Sequence, residues 1–180
     1  MQLSDLVRIF PGVVDHDLCR QLTTGFDERT EHHVRHDDGG FQFTELNITR
    51  HWPDAHEAVF SALVPQFEAY SRDLAIGPHQ WPDELAFEEL RIKRYEAGRD
   101  EFPEHVDVMD HPSARRFLAA LLWLNDVRDG GETDFPLWRQ ALKPSAGSLL
   151  LFPPLWPWLH AGRRPLSGPK YILTTYLHYT

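Results

Sequence analysis

The stretch Glu104-His105-Val106-Asp107-Val108 is the most informative part of this chain. Its alternation is typical of a strand or a strand end, in which residues i and i+2 project from the same face. His105 and Asp107 can therefore reach one metal ion without a turn between them. We predict that this pair forms part of a metal site.

Two later side chains extend this set. His160 follows Asp107 by 53 residues (160 − 107), far enough to come from a distant strand, and Lys170 follows His160 by 10 (170 − 160). Two imidazoles and one carboxylate are a ligand set for non-haem Fe(II) that leaves other positions open. Lys170 opens the β-branched and aromatic run 170–176, which predicts a strand. A lysine is rarely buried unless paired, so an anion in the pocket is its expected partner.

A His-x-Asp pair alone is a weak signal in a chain with 11 histidines, so the surrounding motifs decide. Residues 87 to 178 resemble the prolyl 4-hydroxylase-like branch of the 2-oxoglutarate- and Fe(II)-dependent dioxygenases. The family's motifs occur here in the same order, at residues 90–98 (with a Tyr-x-x-Gly ending), 105–107, 121–126, 130–136, 147–152, 159–162 and 168–171.

The resemblance implies a mainly β fold with N-terminal helices, built on a double-stranded β-helix, a jelly-roll of two packed sheets. From Leu85 onward, short strands and Gly/Pro turns favour the same architecture. We expect a single domain over residues 1–180. Residues 1–84 would supply a helical buttress and substrate-side segments, and residues 85–180 the core with the metal site.

The resemblance also implies the cofactors: Fe(II), with 2-oxoglutarate and O2 as cosubstrates and ascorbate as a reductant. His105, Asp107 and His160 would be the catalytic metal ligands. Lys170 would bind the far carboxylate of 2-oxoglutarate, and Tyr95 would hydrogen-bond the same ligand. Related halogenases lack the carboxylate that Asp107 provides, so its presence favours hydroxylation over chlorination.

Three further residues are candidates for the cofactor pocket. At the position of Trp123 the family often has a Tyr that helps to hold the far carboxylate of 2-oxoglutarate. An indole N–H can also donate a hydrogen bond but has a different reach, so Trp123 either contacts the cosubstrate or fills the core, and we favour the core. Thr174 and Tyr176 share a strand face with Lys170, and we expect that face to point inward. Tyr176 would approach the iron or the substrate, or pack in the core.

The two imidazoles of the predicted metal site need hydrogen-bond acceptors for their other ring nitrogens. Glu104, Asp110 and Glu132 are near in sequence, but none can be assigned this role.

The N-terminal part predicts two helices. Asp15 or Asp17 can cap the first, which runs to about Glu28, and the second begins near Pro53 and ends by residues 77–78. A strand is expected over residues 41–48. His32, His33 and His36 are interpreted as part of a solvated polar loop rather than a second metal site.

Net charge and cysteine content indicate which partners and which cellular location to expect. The net charge is −9 (18 − 27, with His neutral), which makes nucleic acid an unlikely partner because nucleic-acid sites need a basic face. The single cysteine and the lack of an N-terminal apolar segment predict a reducing, cytoplasmic location. No stretch approaches the length of a membrane span. The oligomeric state does not follow from the sequence.

The substrate stays open between two enzyme hypotheses and one non-enzymatic one. A peptide or protein hydroxylase predicts an open groove flanked by residues 41–52 and 100–104. A hydroxylase of a free amino acid or small metabolite predicts a closed pocket with a carboxylate clamp from Arg91, Lys93 or Arg163. The Trp156-Pro157-Trp158 stretch is a packed strand entry or an aromatic wall for substrate. A non-catalytic binding module would usually lack one of the four key side chains, and all four are present.

Overall fold

In the computed structural model, which describes residues 2–38 and 40–180, the chain forms twelve β-strands and three α-helices. The strands in chain order are β1 (Arg8–Phe10), β2 (His33–Asp38), β3 (Phe41–Asn47), β4 (Leu85–Phe87), β5 (Arg91–Tyr95), β6 (Phe102–His105), β7 (Arg116–Trp123), β8 (Thr133–Phe135), β9 (Gln140–Leu142), β10 (Leu149–Phe152), β11 (His160–Gly162) and β12 (Lys170–Tyr179). The helices are α1 (His16–Glu28), α2 (Ile48–His51) and α3 (Pro53–Asp73).

The strands form two antiparallel sheets. The larger has the order β1-β10-β7-β12-β5-β3-β2, with β4 also pairing with β12, and the smaller has the order β6-β11-β8-β9. From β5 to β12 the chain passes repeatedly between the two sheets, so that neighbouring strands are distant in sequence. This is the double-stranded β-helix that the sequence predicts.

The longest strand, β12, separates two hydrophobic cores. Its odd-numbered apolar residues, Tyr171, Leu173 and Leu177, pack into the core beneath the helices, whereas Ile172 and Tyr176 belong to the core between the sheets. The period-two alternation of side chains causes this division, since adjacent residues of a strand point to opposite faces. The predicted inward face of Lys170, Ile172, Thr174 and Tyr176 is therefore confirmed.

The helices cover the outer face of the larger sheet. The side chain of Asp15 accepts a hydrogen bond from the backbone N–H of Leu18 at 2.7 Å, so α1 begins at the predicted cap. Pro53 starts α3, which continues past Pro65 to Asp73 as one helix. Both helices bury an apolar stripe against the sheet, formed by Leu22, Phe26, Ala55, Val59, Leu63, Phe67 and Tyr70. No helix within residues 2–38 and 40–180 is long and apolar enough to cross a membrane.

The prediction of a polar loop around His33 and His36 is wrong, because both lie in β2. This strand pairs with β3, and β3 pairs with β5, so the N-terminal part extends the larger sheet. The sequence of β2 is polar and lacks the apolar alternation by which strands are predicted. Its backbone hydrogen bonds to β3 make it a strand. The predicted strand over residues 41–48 is confirmed as β3.

A buried ion pair connects this added hairpin to the loop between β5 and β6. The carboxylate of Asp100 is fully buried and accepts hydrogen bonds from both terminal nitrogens of Arg35, at 2.6 and 2.7 Å. It also accepts the backbone N–H of Glu96 at 3.0 Å. Burial would raise the pKa of Asp100, but these hydrogen bonds and the Arg35 charge lower it overall.

We predict that Asp100→Asn lowers the free energy of unfolding by about 2 kcal/mol, because it removes the charge that pairs with Arg35. The loss is smaller than that expected on breaking a fully buried ion pair, because Arg35 is partly exposed. Urea unfolding at neutral pH measures this loss. The matched control is Asp129→Asn. Among the described residues its exposed carboxylate pairs only with the adjacent Arg128, so the substitution should change stability by less than about 0.5 kcal/mol. Equal stability of the two variants would contradict a structural role for the Asp100 pair.

Candidate active site

Three candidate metal-ligand side chains converge at one end of the smaller sheet. His105 at the end of β6 and His160 at the start of β11 are direct Cα partners, and Asp107 follows two residues after His105. The Nε2 atoms of both histidines lie 3.6 Å from the Asp107 carboxylate, one from each oxygen. The three donor atoms lie within 4.8 Å of one another. Ligands that bind one first-row metal at about 2.1 Å lie about 3–4 Å apart, so this trio can hold one ion after a small contraction.

Backbone carbonyls orient the two imidazoles. The Nδ1 atom of His105 lies 2.7 Å from the carbonyl oxygen of Pro103, and that of His160 lies 3.0 Å from the carbonyl oxygen of Trp158. A carbonyl only accepts, so each Nδ1 carries the proton and each Nε2 lone pair faces the common centre. Each imidazole therefore donates to a main-chain carbonyl two residues before it in the chain, and not to an acidic side chain such as Glu104, Asp110 or Glu132.

The Asp107 carboxylate is held ionised. Burial would raise its pKa, but the positive charge of His160 and His105 in their protonated form, together with a hydrogen bond from the Tyr176 hydroxyl, holds that pKa well below its usual range. Tyr176 donates to the carboxylate at 2.7 Å. Burial also lowers the pKa of His160, which favours its neutral form. An ionised carboxylate beside neutral imidazoles is the protonation state that a divalent cation requires.

Lys170 lies in a narrow cavity between the two sheets, which also reaches the three ligand side chains. Its side chain is 1% exposed, and its ammonium lies 5.6 Å from the ring centroid of Tyr95, its Cα partner on β5. Burial lowers the pKa of Lys170 to about 7, and the charge of Glu132 opposes this shift. Within the described parts of the chain, no carboxylate lies within ion-pair distance of this ammonium, so the cavity can accept an anionic ligand there.

Two buried hydrogen-bond donors near this cavity have no partner in the described residues. They are the indole N–H of Trp123 and the hydroxyl of Thr133. Thr133 lines the cavity, and Trp123 packs with Tyr95 and Ile172 in the core between the sheets. An unpaired buried donor is costly, and a bound carboxylate would satisfy such groups. Thr133 belongs to the motif at 130–136, but its spacing in the sequence does not indicate that it lines this cavity.

A wider cleft of about 960 Å3 opens outward from His105 and Asp107. Phe41, Phe43 and Phe102 form one side of it, and Phe102 stacks on His105 with 3.7 Å between ring centroids. Thr174 and Tyr176 line both this cleft and the inner cavity.

The stretch Trp156-Pro157-Trp158, interpreted from sequence as a packed strand entry or an aromatic wall, lines neither cavity. Trp158 is buried and donates its indole N–H to the carbonyl of Leu3 at 3.2 Å, whereas Trp156 is exposed. Arg163 lines neither cavity and pairs with Asp134 and with Glu104 at the cleft rim. The structure therefore favours the packed strand entry over an aromatic wall, and Arg163 does not act as a clamp in either cavity.

A protein-family comparison agrees with this geometry. Residues 90–178, about half of the chain, match the model of the 2OG-Fe(II) oxygenase superfamily. The chain belongs to this superfamily. It is therefore a dioxygenase that uses Fe(II), 2-oxoglutarate and O2. No curated protein matches the chain by sequence.

Solved structures of this superfamily share the fold at low identity. A viral collagen prolyl hydroxylase from Paramecium bursaria Chlorella virus-1, in its 2-oxoglutarate complex, is 20% identical with a TM-score of 0.70, over 97% of this chain and 96% of that one. A Trichoplax adhaerens prolyl hydroxylase, bound to a hypoxia-inducible-factor peptide fragment, is 12% identical with a TM-score of 0.75, over 97% and 84%. The α-ketoglutarate-dependent epimerase SnoN from nogalamycin biosynthesis is 16% identical with a TM-score of 0.70, over 96% and 76%.

We predict that Tyr176→Phe weakens Fe(II) binding about tenfold, because hydrogen bonds to ligating carboxylates support metal affinity. The phenyl ring keeps the packing of Arg116, which lies 4.0 Å above the Tyr176 ring centroid. Anaerobic Fe(II) titration measures the affinity. Tyr179→Phe, at an exposed position of the same strand, is the matched control and should bind iron like the parent. Equal Fe(II) affinities of the two variants would refute the role of the Tyr176 hydroxyl.

Proposed function

We propose that this dioxygenase hydroxylates an unactivated C–H bond, in a prolyl or another residue of a peptide or protein, with release of succinate and CO2. The observation that carries this proposal is the convergence of His105, Asp107 and His160 at an inner cavity, where His105 and Asp107 also line an outer cleft. One cavity is narrow and ends in a buried cation, and the other is wide and open to the surface.

His105, Asp107 and His160 hold the iron in this proposal. Bound iron supplies the activation of O2, coupled to oxidative decarboxylation of 2-oxoglutarate. The backbone carbonyls of Pro103 and Trp158 keep both Nε2 atoms available for the metal. The Asp107 carboxylate occupies a coordination position and thereby excludes halide from it, which supports hydroxylation.

The narrow cavity holds 2-oxoglutarate. The ammonium of Lys170 binds its far carboxylate, and this ion pair makes the burial of the lysine favourable. The hydroxyl of Thr133 lines this cavity, has no hydrogen-bond partner among the described residues and is available to donate to the same ligand. Tyr95 lies beside Lys170 and supports the cosubstrate from the neighbouring strand.

The wide cleft holds the substrate. Its rim includes Phe41 and Phe43 of β3 and the segment from Phe102 to Glu104, and these belong to the two segments that the peptide hypothesis predicts at the groove. An open cleft can receive an extended chain that continues in both directions. The complex of the Trichoplax adhaerens enzyme with a peptide fragment supports this class of substrate.

A free amino acid or small metabolite is the second candidate. Its support is Lys93, one of the three expected carboxylate clamps, which lines both cavities. Arg91 also lines the cleft but pairs with Glu89 at 2.7 Å. The epimerase SnoN has the same fold, so the fold alone does not select the reaction.

The reaction is tested by mass spectrometry on a cell extract. The purified enzyme with Fe(II), ascorbate and 2-oxoglutarate should form succinate and increase the mass of a specific product by one oxygen atom. His160→Ala should do neither, because it removes one of three metal ligands. His56→Ala, on the outer helix α3, is the matched control and should retain activity. No succinate under any condition, with no iron retained, would indicate a non-catalytic module instead.

The pH dependence of 2-oxoglutarate binding tests Lys170. With its pKa at about 7, the ammonium is charged below that pH and loses its charge above it. Affinity of the Mn(II)-loaded enzyme should therefore fall between pH 7 and 9, by up to about tenfold per pH unit. Calorimetric titration measures this.

Two variants at position 170 check the assignment. Lys170→Arg keeps its charge throughout this range, so its affinity should be nearly independent of pH. Lys170→Met should bind weakly at every pH. A wild-type affinity that is constant between pH 7 and 9, or a Lys170→Met variant with unchanged affinity, would contradict the role of Lys170.

A further inference from the structure

We propose that Lys93 determines substrate specificity by binding a carboxylate of the substrate, so that this dioxygenase acts on acidic substrates. This inference rests on the proposed function and defines the chemistry of its substrate. The evidence is the position of Lys93, the charges around it and the apolar surface beside it.

Lys93 lies where the two cavities meet. It is in the middle of β5, with Glu45 on β3 and Ile172 on β12 as its Cα partners. Its side chain lies on the same strand face as Tyr95 and lines both the inner cavity and the outer cleft. His105 and Asp107 line both cavities too. A group bound to Lys93 is therefore held beside the metal ligands.

The half-buried arginines of the cleft already have acidic partners. Arg91 pairs with Glu89 at 2.7 Å, and Arg116 forms two hydrogen bonds with Glu88, at 2.7 and 2.8 Å. These ion pairs leave neither guanidinium free for a substrate anion.

Lys93 differs from these arginines. Among the described residues, no carboxylate lies within 4 Å of its ammonium, which instead lies 4.8 Å from the ring centroid of Phe43. The nearest acidic groups are Glu45, which approaches Arg91 at 3.6 Å, and Asp107, which belongs to the metal site. Burial lowers the pKa of Lys93, and these two acids oppose the shift. A half-buried cation without a close acidic partner is available to bind a substrate anion.

The cosubstrate does not supply this anion. Lys170 is the Cα partner of Tyr95, two residues along β5 from Lys93, and it lines the inner cavity without lining the cleft. In the proposed function, 2-oxoglutarate uses one carboxylate at the metal and the other at Lys170. The anion for Lys93 must therefore belong to the molecule that enters through the cleft.

An aromatic surface beside Lys93 defines the rest of the substrate. Phe41, Phe43 and Phe102 contact one another, with ring centroids 5.2 to 6.0 Å apart. Phe102 also stacks on His105, so this surface leads to the metal ligands. The substrate that fits combines an apolar portion with a carboxylate. A free amino acid and a peptide with an acidic side chain share this chemistry.

The test uses pairs of probes that differ only in charge. The enzyme is loaded anaerobically with Fe(II) and 2-oxoglutarate and titrated with L-proline and L-prolinamide. It is also titrated with two capped peptides, Ac-Ala-Pro-Glu-Ala-NH2 and Ac-Ala-Pro-Gln-Ala-NH2. The variants are Lys93→Met and, as the matched loss of one positive charge, Arg128→Met at an exposed site. Calorimetry gives the probe and 2-oxoglutarate affinities.

In at least one pair, the carboxylate probe should bind the parent and Arg128→Met about 10- to 100-fold more tightly than its amide. Lys93→Met should lose this preference while its 2-oxoglutarate affinity stays unchanged. The pair that shows the preference identifies the source of the carboxylate, as free amino acid or peptide.

Three results would overturn the inference: no carboxylate preference in either pair, a preference that persists in Lys93→Met, or a loss of 2-oxoglutarate affinity in Lys93→Met. The last would assign Lys93 to the cosubstrate instead. None of these affects the proposed function, which fails only if the parent enzyme does not retain iron and 2-oxoglutarate or form succinate.

Discussion

The active site depends on a carboxylate that stays ionised inside the protein. Asp107 is withdrawn from water. The Tyr176 hydroxyl donates to its carboxylate at 2.7 Å, and the Nε2 atoms of His105 and His160 lie 3.6 Å from it, so a cation bound among these atoms would favour the charged form. Those groups come from β6, β11 and β12, which belong to two different sheets. The jelly-roll therefore has a chemical role, because packing the sheets face to face brings these strands to one point.

The same face-to-face packing places Lys170 and Lys93, the two lysines that we propose bind anions, at different depths below the surface. Lys170 is buried at the inner end and Lys93 lies at the junction with the cleft, although both project from neighbouring strands of one sheet. Lys170 is buried and Lys93 is half-buried, and neither ammonium has a close carboxylate among the described residues, so each is available to bind an anionic ligand. In our proposals, the deep position selects the cosubstrate and the shallow one the substrate.

Much of the fold follows from local patterns. The cap at Asp15, the proline at position 53 and the alternation along β12 each act within a few residues, and all three were predictable. The strand β2 was not, because its polar sequence has no strand pattern and pairing with β3 defines it. Likewise, the roles of Pro103 and Trp158 as acceptors reside in their backbone carbonyls, which side-chain identity does not reveal.

The sequence by itself determined the ligand types, their order and the strand face of Lys170, since spacing and alternation are local properties of the chain. Only the tertiary structure decided which charges are already paired. Arg163 was an equal candidate with Lys93 in sequence, but it pairs with Asp134 and Glu104 and lines neither cavity, whereas Lys93 lines both. Charge pairing depends on distances between residues far apart in the chain, and those distances exist only after the sheets have packed.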